Sequence, residues 1–196
     1  MKALSVILSI ALLTACNSGD SQHQASKDST AAMKESMDHI DNSSVDFVNE
    51  VANGNLNEIA LGKIAQQNAN YSRIKEFAAK MVAAHTQAMD KLQKASYSSG
   101  VTVPQASADT GRISGFASKK GVAFDKDYIK EMVDAHQKMM ETLDAARGRL
   151  KDSSLKAFAE QMLPEVNAHL NEARNILEDT RKQKEYRPEQ GPDVSH

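Results

Sequence analysis

Shifting the chain against itself by 81 residues lays one helical hairpin on another, and this duplication constrains the fold more than any other feature. Asp46-Phe47-Val48 falls on Asp127-Tyr128-Ile129, and Glu50-Val51 on Glu131-Met132. The same offset places Ile74-Lys75 on Leu155-Lys156, Phe77-Ala78 on Phe158-Ala159 and Met81-Val82 on Met162-Leu163. One gapless register through two helices and their turn marks a repeated hairpin. An amphipathic hairpin cannot bury its apolar stripe alone, so two copies must pack against each other.

The stripes follow helical spacing. Phe47, Val51, Gly54, Glu58, Leu61 and Ala65 predict a helix over 45–69. Ile74, Phe77, Met81, His85, Ala88 and Leu92 predict a second, capped by Ser72 and ending near Ser96. Tyr128, Met132, His136, Met139, Leu143 and Ala146 predict a third over about 125–150. Leu155, Phe158, Met162, Glu165, His169 and Ile176 predict a fourth, running toward Lys184 with a bend at Pro164. Between the second and third, Gly100, Pro104, Gly111, Gly115 and Gly121 mark a long connection with one short helix over about 112–119. Extended chain covers about 3.3 Å per residue, enough to run the length of such a bundle. The expected fold is all-α: a ferritin-like four-helix bundle of two duplicated hairpins joined by a long crossover. Absent tryptophan and an aromatic share of 5% agree with a helical chain of this kind.

Within these stripes the phrase Met-Val-x-Ala-His occurs twice, at Met81–His85 and Met132–His136. At about 1.5 Å of rise per residue, the crossover topology brings Glu58, His85, His136, Glu165 and His169 to similar mid-bundle heights. An unpaired buried carboxylate is very costly, so such a set must be satisfied internally or by a cation. Two readings follow. The five residues hold one transition-metal ion, with imidazole and carboxylate suiting zinc, iron or manganese. Thioethers of Met81, Met89, Met132, Met139 and Met140 would move the preference toward copper. Alternatively, they form a hydrogen-bonded His/Glu network in a methionine-packed core. His23, His39 and His196 read as solvated; the lesser alternative for Met33, Met37 and His39 is a weak copper-scavenging tract. No nucleophile motif or glycine-rich phosphate loop suggests an enzyme.

The first residues read as a leader. Met1-Lys2 precedes an apolar run from Ala3 to Leu13, too short to span a bilayer, and Leu13-Thr14-Ala15-Cys16 follows. This end resembles a bacterial lipoprotein signal, implying cleavage after residue 15 and lipidation of Cys16, the single cysteine. A lipid anchor holds a soluble domain at a membrane surface. The expected organisation is a leader over 1–15, a lipidated stalk over 16–44, a bundle over 45–185 and a disordered tail over 186–196. The implied location is the cell envelope, on the outer membrane facing the periplasm. A net charge of −2 offers no basic field for nucleic acid.

Several phrases together resemble the bacterial envelope proteins of domain-of-unknown-function family 4142. They are Asp46-Phe47, Asn57-Glu58-Ile59-Ala60-Leu61-Gly62, Phe77-Ala78 with Met81-Val82 and His85, and Gly100-Val101 with Pro104. Phe124-Asp125 with Tyr128, Met132-Val133 with His136, and Leu163-Pro164 with His169 complete the set. The resemblance spans about residues 45–177. It implies a ferritin-like fold and an exported location, and it carries no assigned reaction. The Glu-x-x-His pairs of a di-iron centre are missing, since Val82 and Val133 stand three residues before the histidines. A single-ion site is the form of metal binding that this pattern leaves.

Overall fold

The computed structural model describes residues 41–106 and 109–183. The expected leader, Cys16, the stalk up to residue 40, the Met33/Met37/His39 tract, His23 and the tail with His196 lie outside the described residues. Among the described residues there are five helices: α1 (Asn42–Asn68), α2 (Ser72–Ser98), α3 (Thr110–Ala117), α4 (Gly121–Arg149) and α5 (Ser153–Gln183). None is long and apolar enough to cross a membrane.

Local chemistry sets the helix ends. Asp41 caps α1 by accepting from the Ser43 backbone N–H, and Asp152 caps α5 by accepting from the Leu155 N–H. The cap expected at Ser72 is not there: Tyr71 is the N-cap of α2 and makes no side-chain cap bond. Asp125 of α4 does that work from across the fold, accepting the Asn70 and Tyr71 N–H groups at 2.9 and 3.0 Å. The third long helix starts at Gly121 rather than near Asp125. Gly121 has φ +65°, a conformation that suits glycine and turns the chain straight into α4. The fourth long helix runs unbroken through Pro164 to Gln183.

Side-chain contacts define the topology. The α1–α2 turn meets the start of α4 through Asp125, and Arg73 at the start of α2 pairs with Asp179 near the end of α5. At the opposite end, Phe47 of α1 packs edge-on against Phe158 of α5, with centroids 6.2 Å apart. The segment between α2 and α4 therefore crosses the full length of the bundle. Its Val101 and Val103 join the core at one end, and its Phe116 joins the core at the other. Helix α1 packs on α2 and α4, and α5 packs on the same two, so each helix lies between antiparallel neighbours. This is the crossover four-helix bundle expected from the duplication. At Gly62 a Cβ would stand 2.7 Å from Val82 and 3.2 Å from the Ala78 carbonyl oxygen, so α1 and α2 approach closely there.

The apolar interior is in two parts. One cluster holds Phe47, Val51, Leu92, Leu143, Phe158 and Val166, and the other Leu61, Phe77, Met81, Tyr128, Met132 and Ile176. Every long helix passes from one cluster to the other, and between them the buried residues are polar except for Leu170 on α5.

Candidate metal centre

That polar layer consists of Asn55 and Glu58 from α1, His85 from α2, His136 from α4 and His169 from α5, all buried. Each lies on its helix's apolar stripe. On α5 the buried positions Met162, Val166, His169, Ala173 and Ile176 are spaced four, three, four and three apart, which is one face of a helix.

The three imidazoles form a compact triangle. Ring centroids are 5.4 Å apart for His85–His136, 5.9 Å for His85–His169 and 5.6 Å for His136–His169. Each ring offers one nitrogen, and these three atoms lie within 4.8 Å of one another. Glu58 closes one side. Its Oε2 is 2.9 Å from His85 Nε2 and 3.4 Å from His136 Nδ1.

Hydrogen bonds orient two of the rings. Asn55 Nδ2 donates to the Val51 carbonyl at 2.8 Å, so its Oδ1 faces His85 as an acceptor. His85 Nδ1 lies 2.7 Å from that oxygen and donates to it. His136 Nδ1 donates to the Met132 carbonyl at 2.8 Å. In both rings Nδ1 is taken up by a hydrogen bond, which leaves Nε2 as the nitrogen without one. Metal-ligating histidines are commonly held this way, with the second ring nitrogen bonded to a carbonyl oxygen. His85 Nε2, His136 Nε2, His169 Nδ1 and Glu58 Oε2 are buried and make no hydrogen bond of good geometry.

The electrostatics follow from burial and crowding. Burial pushes Glu58 toward its protonated form, but the imidazoles of His85 and then His136 more than offset this, so its pKa falls below the ordinary value. Burial lowers the His136 pKa, with Glu58 opposing. Burial, followed by the neighbouring His136 and His85, lowers His169 to about 4. The Tyr128 hydroxyl is also buried without a partner, and burial together with the Glu58 charge pushes its pKa far up.

Glu165 does not join the layer. Its carboxylate is 41% exposed and pairs with Lys91 Nζ at 2.6 Å, on the flank between α5 and α2. The four–three spacing explains this: Val166 and His169 hold the inward positions, and Glu165 stands one residue beside the stripe. Sequence reasoning missed Asn55, which it passed over in favour of Gly54. The available signal was the duplication, which aligns Asn55 with His136, and its spacing of three from Glu58.

Residues 25–176 match the family described as a domain of unknown function, DUF4142. The chain belongs to this family. The match takes in α1 to α4 and α5 as far as Ile176, and with them every member of the polar layer. No curated protein and no solved structure matches the chain. In this DUF4142 protein the layer also borders a cleft of ≈ 540 Å³ between α1 and α4, whose lining includes Glu58, Gly54 and Ala135.

Proposed function

We propose that this protein binds one transition-metal ion in the core of its bundle, through His85, His136 and His169, with Glu58 as the anionic partner. One observation carries the reading: three buried imidazoles from three helices each offer a nitrogen within 4.8 Å of the others, and each ring has one buried nitrogen without a hydrogen-bond partner. Left alone, such atoms cost free energy; shared by a cation, they are satisfied. Zinc–imidazole bonds of about 2.0–2.1 Å imply nitrogen separations of roughly 3.4 Å in a tetrahedral site. Side-chain adjustments on the order of 1 Å would close the triangle to that size. The Nδ1 bonds to Asn55 and Met132 supply the outer support that such a centre needs. Three imidazoles and one carboxylate suit zinc, iron or manganese.

The full chain, desalted after incubation with zinc, is expected to retain close to one equivalent. His85→Ala and His136→Ala should each remove that retention while preserving helical content. Zinc content indifferent to both substitutions would overturn the reading. The second reading, a hydrogen-bonded core without metal, draws on the bonds to Asn55 and Met132. It requires a melting temperature that a chelator leaves unchanged.

The setting we propose is the bacterial envelope, with Cys16 lipidated after removal of residues 1–15. The leader-like start and the small residues before a single cysteine support it. Cys16→Ser should move the protein from the membrane fraction to the soluble fraction. Unchanged partition would remove the anchor from this account.

A further inference from the structure

The histidine layer is enclosed by four helices, yet Glu58 belongs to the lining of the α1–α4 cleft. Glu58 is 2% exposed and is the most buried of the charged residues that line it. Its Oε2 lies against His85 and His136, so one side chain belongs to both the centre and the cleft. The lining also holds the carboxylates Glu50, Asp109, Glu131 and Asp134 against the cations Arg112 and Lys138, so it stays acidic in sum although Glu50, Glu131 and Asp134 are ion-paired. A low-dielectric cleft lined with carboxylates concentrates cations.

The start of the short helix α3 borders this cleft, through Asp109 and Arg112. One end is held to α1, where Asn68 Nδ2 donates to the carbonyls of Ala117 and Lys119 at 3.2 and 2.9 Å. The other end reaches α4, where Arg112 Nη1 lies 2.9 Å from Glu131 Oε1. Helix α3 packs mainly on α1 and meets α4 at its far end, where Phe116 stands edge-on to Phe124 at 6.1 Å, so the Arg112–Glu131 pair is the tie to α4 at the end that borders the cleft. Arg112 is itself 44% exposed, which makes the tie breakable.

We propose that the α1–α4 cleft is the route by which a hydrated divalent cation reaches the histidine centre, and that the Arg112–Glu131 pair latches it. This inference rests on the metal reading above. Glu58 takes the ion from the cleft and hands it to the imidazoles. Arg112 slows exchange by holding α3 across the mouth.

Two substitutions separate the latch from simple charge. Arg112→Met and Glu131→Gln both break the pair but change the cleft's charge in opposite directions. Zinc uptake by stopped flow, and zinc release to a chelator, should both accelerate about two- to five-fold in each variant, the range expected for a partly exposed ion pair. Stoichiometry should stay at the wild-type value. Rate changes of opposite sign in the two variants, or no change, would overturn the latch.

A second measurement needs no metal. In the full chain carrying Cys16→Ser, Glu58→Cys should react with a cationic methanethiosulfonate reagent without denaturant. Arg112→Met should speed this labelling, and Ala135→Phe, which fills the cleft, should block it. Leu61→Cys, another buried lining residue, repeats the test if Glu58→Cys does not fold. A thiol that labels only after unfolding would overturn the route. Wild-type protein that retains no zinc, beside a thiol that labels through the cleft, would remove the metal reading and leave the route standing.

Discussion

Glu58→Ala is expected to lower the stability of the metal-free protein by about 2–3 kcal/mol at neutral pH, from the cavity it leaves and the buried imidazole nitrogens that lose their polar neighbour. Glu58 faces His85 at 2.9 Å and His136 at 3.4 Å, with both partners buried. Removing it leaves the imidazoles without an anion and opens a cavity between the two apolar clusters. Urea denaturation at pH 7 measures it, and a change under about 1 kcal/mol would show that the carboxylate does not carry the layer's charge balance. Replacing Glu58, His85, His136 and His169 together with methionine and leucine should recover most of that stability, because apolar side chains of similar volume often equal or exceed a buried ionic group.

The second large effect is acid destabilisation that begins well above the carboxylate range. His169 titrates at about 4 in the folded protein against 6.5 for the free side chain, because burial and the two neighbouring imidazoles oppose its charge. Between those values the unfolded chain takes up a proton that the folded protein refuses, so stability falls as pH drops from 6.5 toward 4. His136 shifts in the same direction. Glu58 extends the loss further down, since its folded pKa lies below the ordinary 4.5 and its stabilisation disappears as it protonates. For the histidines we expect a loss of about 2–3 kcal/mol between pH 7 and pH 4, less than the full shift because His169 keeps some contact with solvent. Thermal unfolding in chelator-treated samples across this range measures it. His169→Leu should flatten the profile; an unaltered profile would assign the acid sensitivity to other groups.

The duplication and the glycine-rich connection were enough to read the fold, because helical periodicity and loop length are properties of the chain itself. The two parts of the centre differed in legibility. His85, His136, His169 and Glu58 stand on apolar stripes, where a polar residue is conspicuous, and the structure brings them together. Glu165 stands one position off its stripe, and a mean spacing of 3.6 does not separate an inward residue from its flanking neighbour; the burial of Val166 and the nearby Lys91 do. Asn55 was obscured by Gly54 beside it, since a glycine on a stripe reads as close packing. Asp125 was illegible for a different reason. Its partners, the Asn70 and Tyr71 N–H groups, are 55 and 54 residues away in the chain. Only the assembled bundle makes it a cap for another helix.

The division of the interior into two apolar halves has a consequence for assembly. Hydrophobic stripes on nearly repeated helices are poor rulers, and sliding one helix by a turn, about 5.4 Å, would still bury leucine against alanine. The polar residues stand at one height on each long helix, so the same slip would press Glu58 into hydrocarbon. They also tell the hairpins apart, because the duplication sets Glu58 over Met139 and His85 over Val166. Two copies of the first hairpin would bring together two carboxylates and two imidazoles with neither His136 nor His169. The layer thus works as an alignment key, selecting one vertical setting and favouring pairing of unlike hairpins within a chain over exchange of like hairpins between chains.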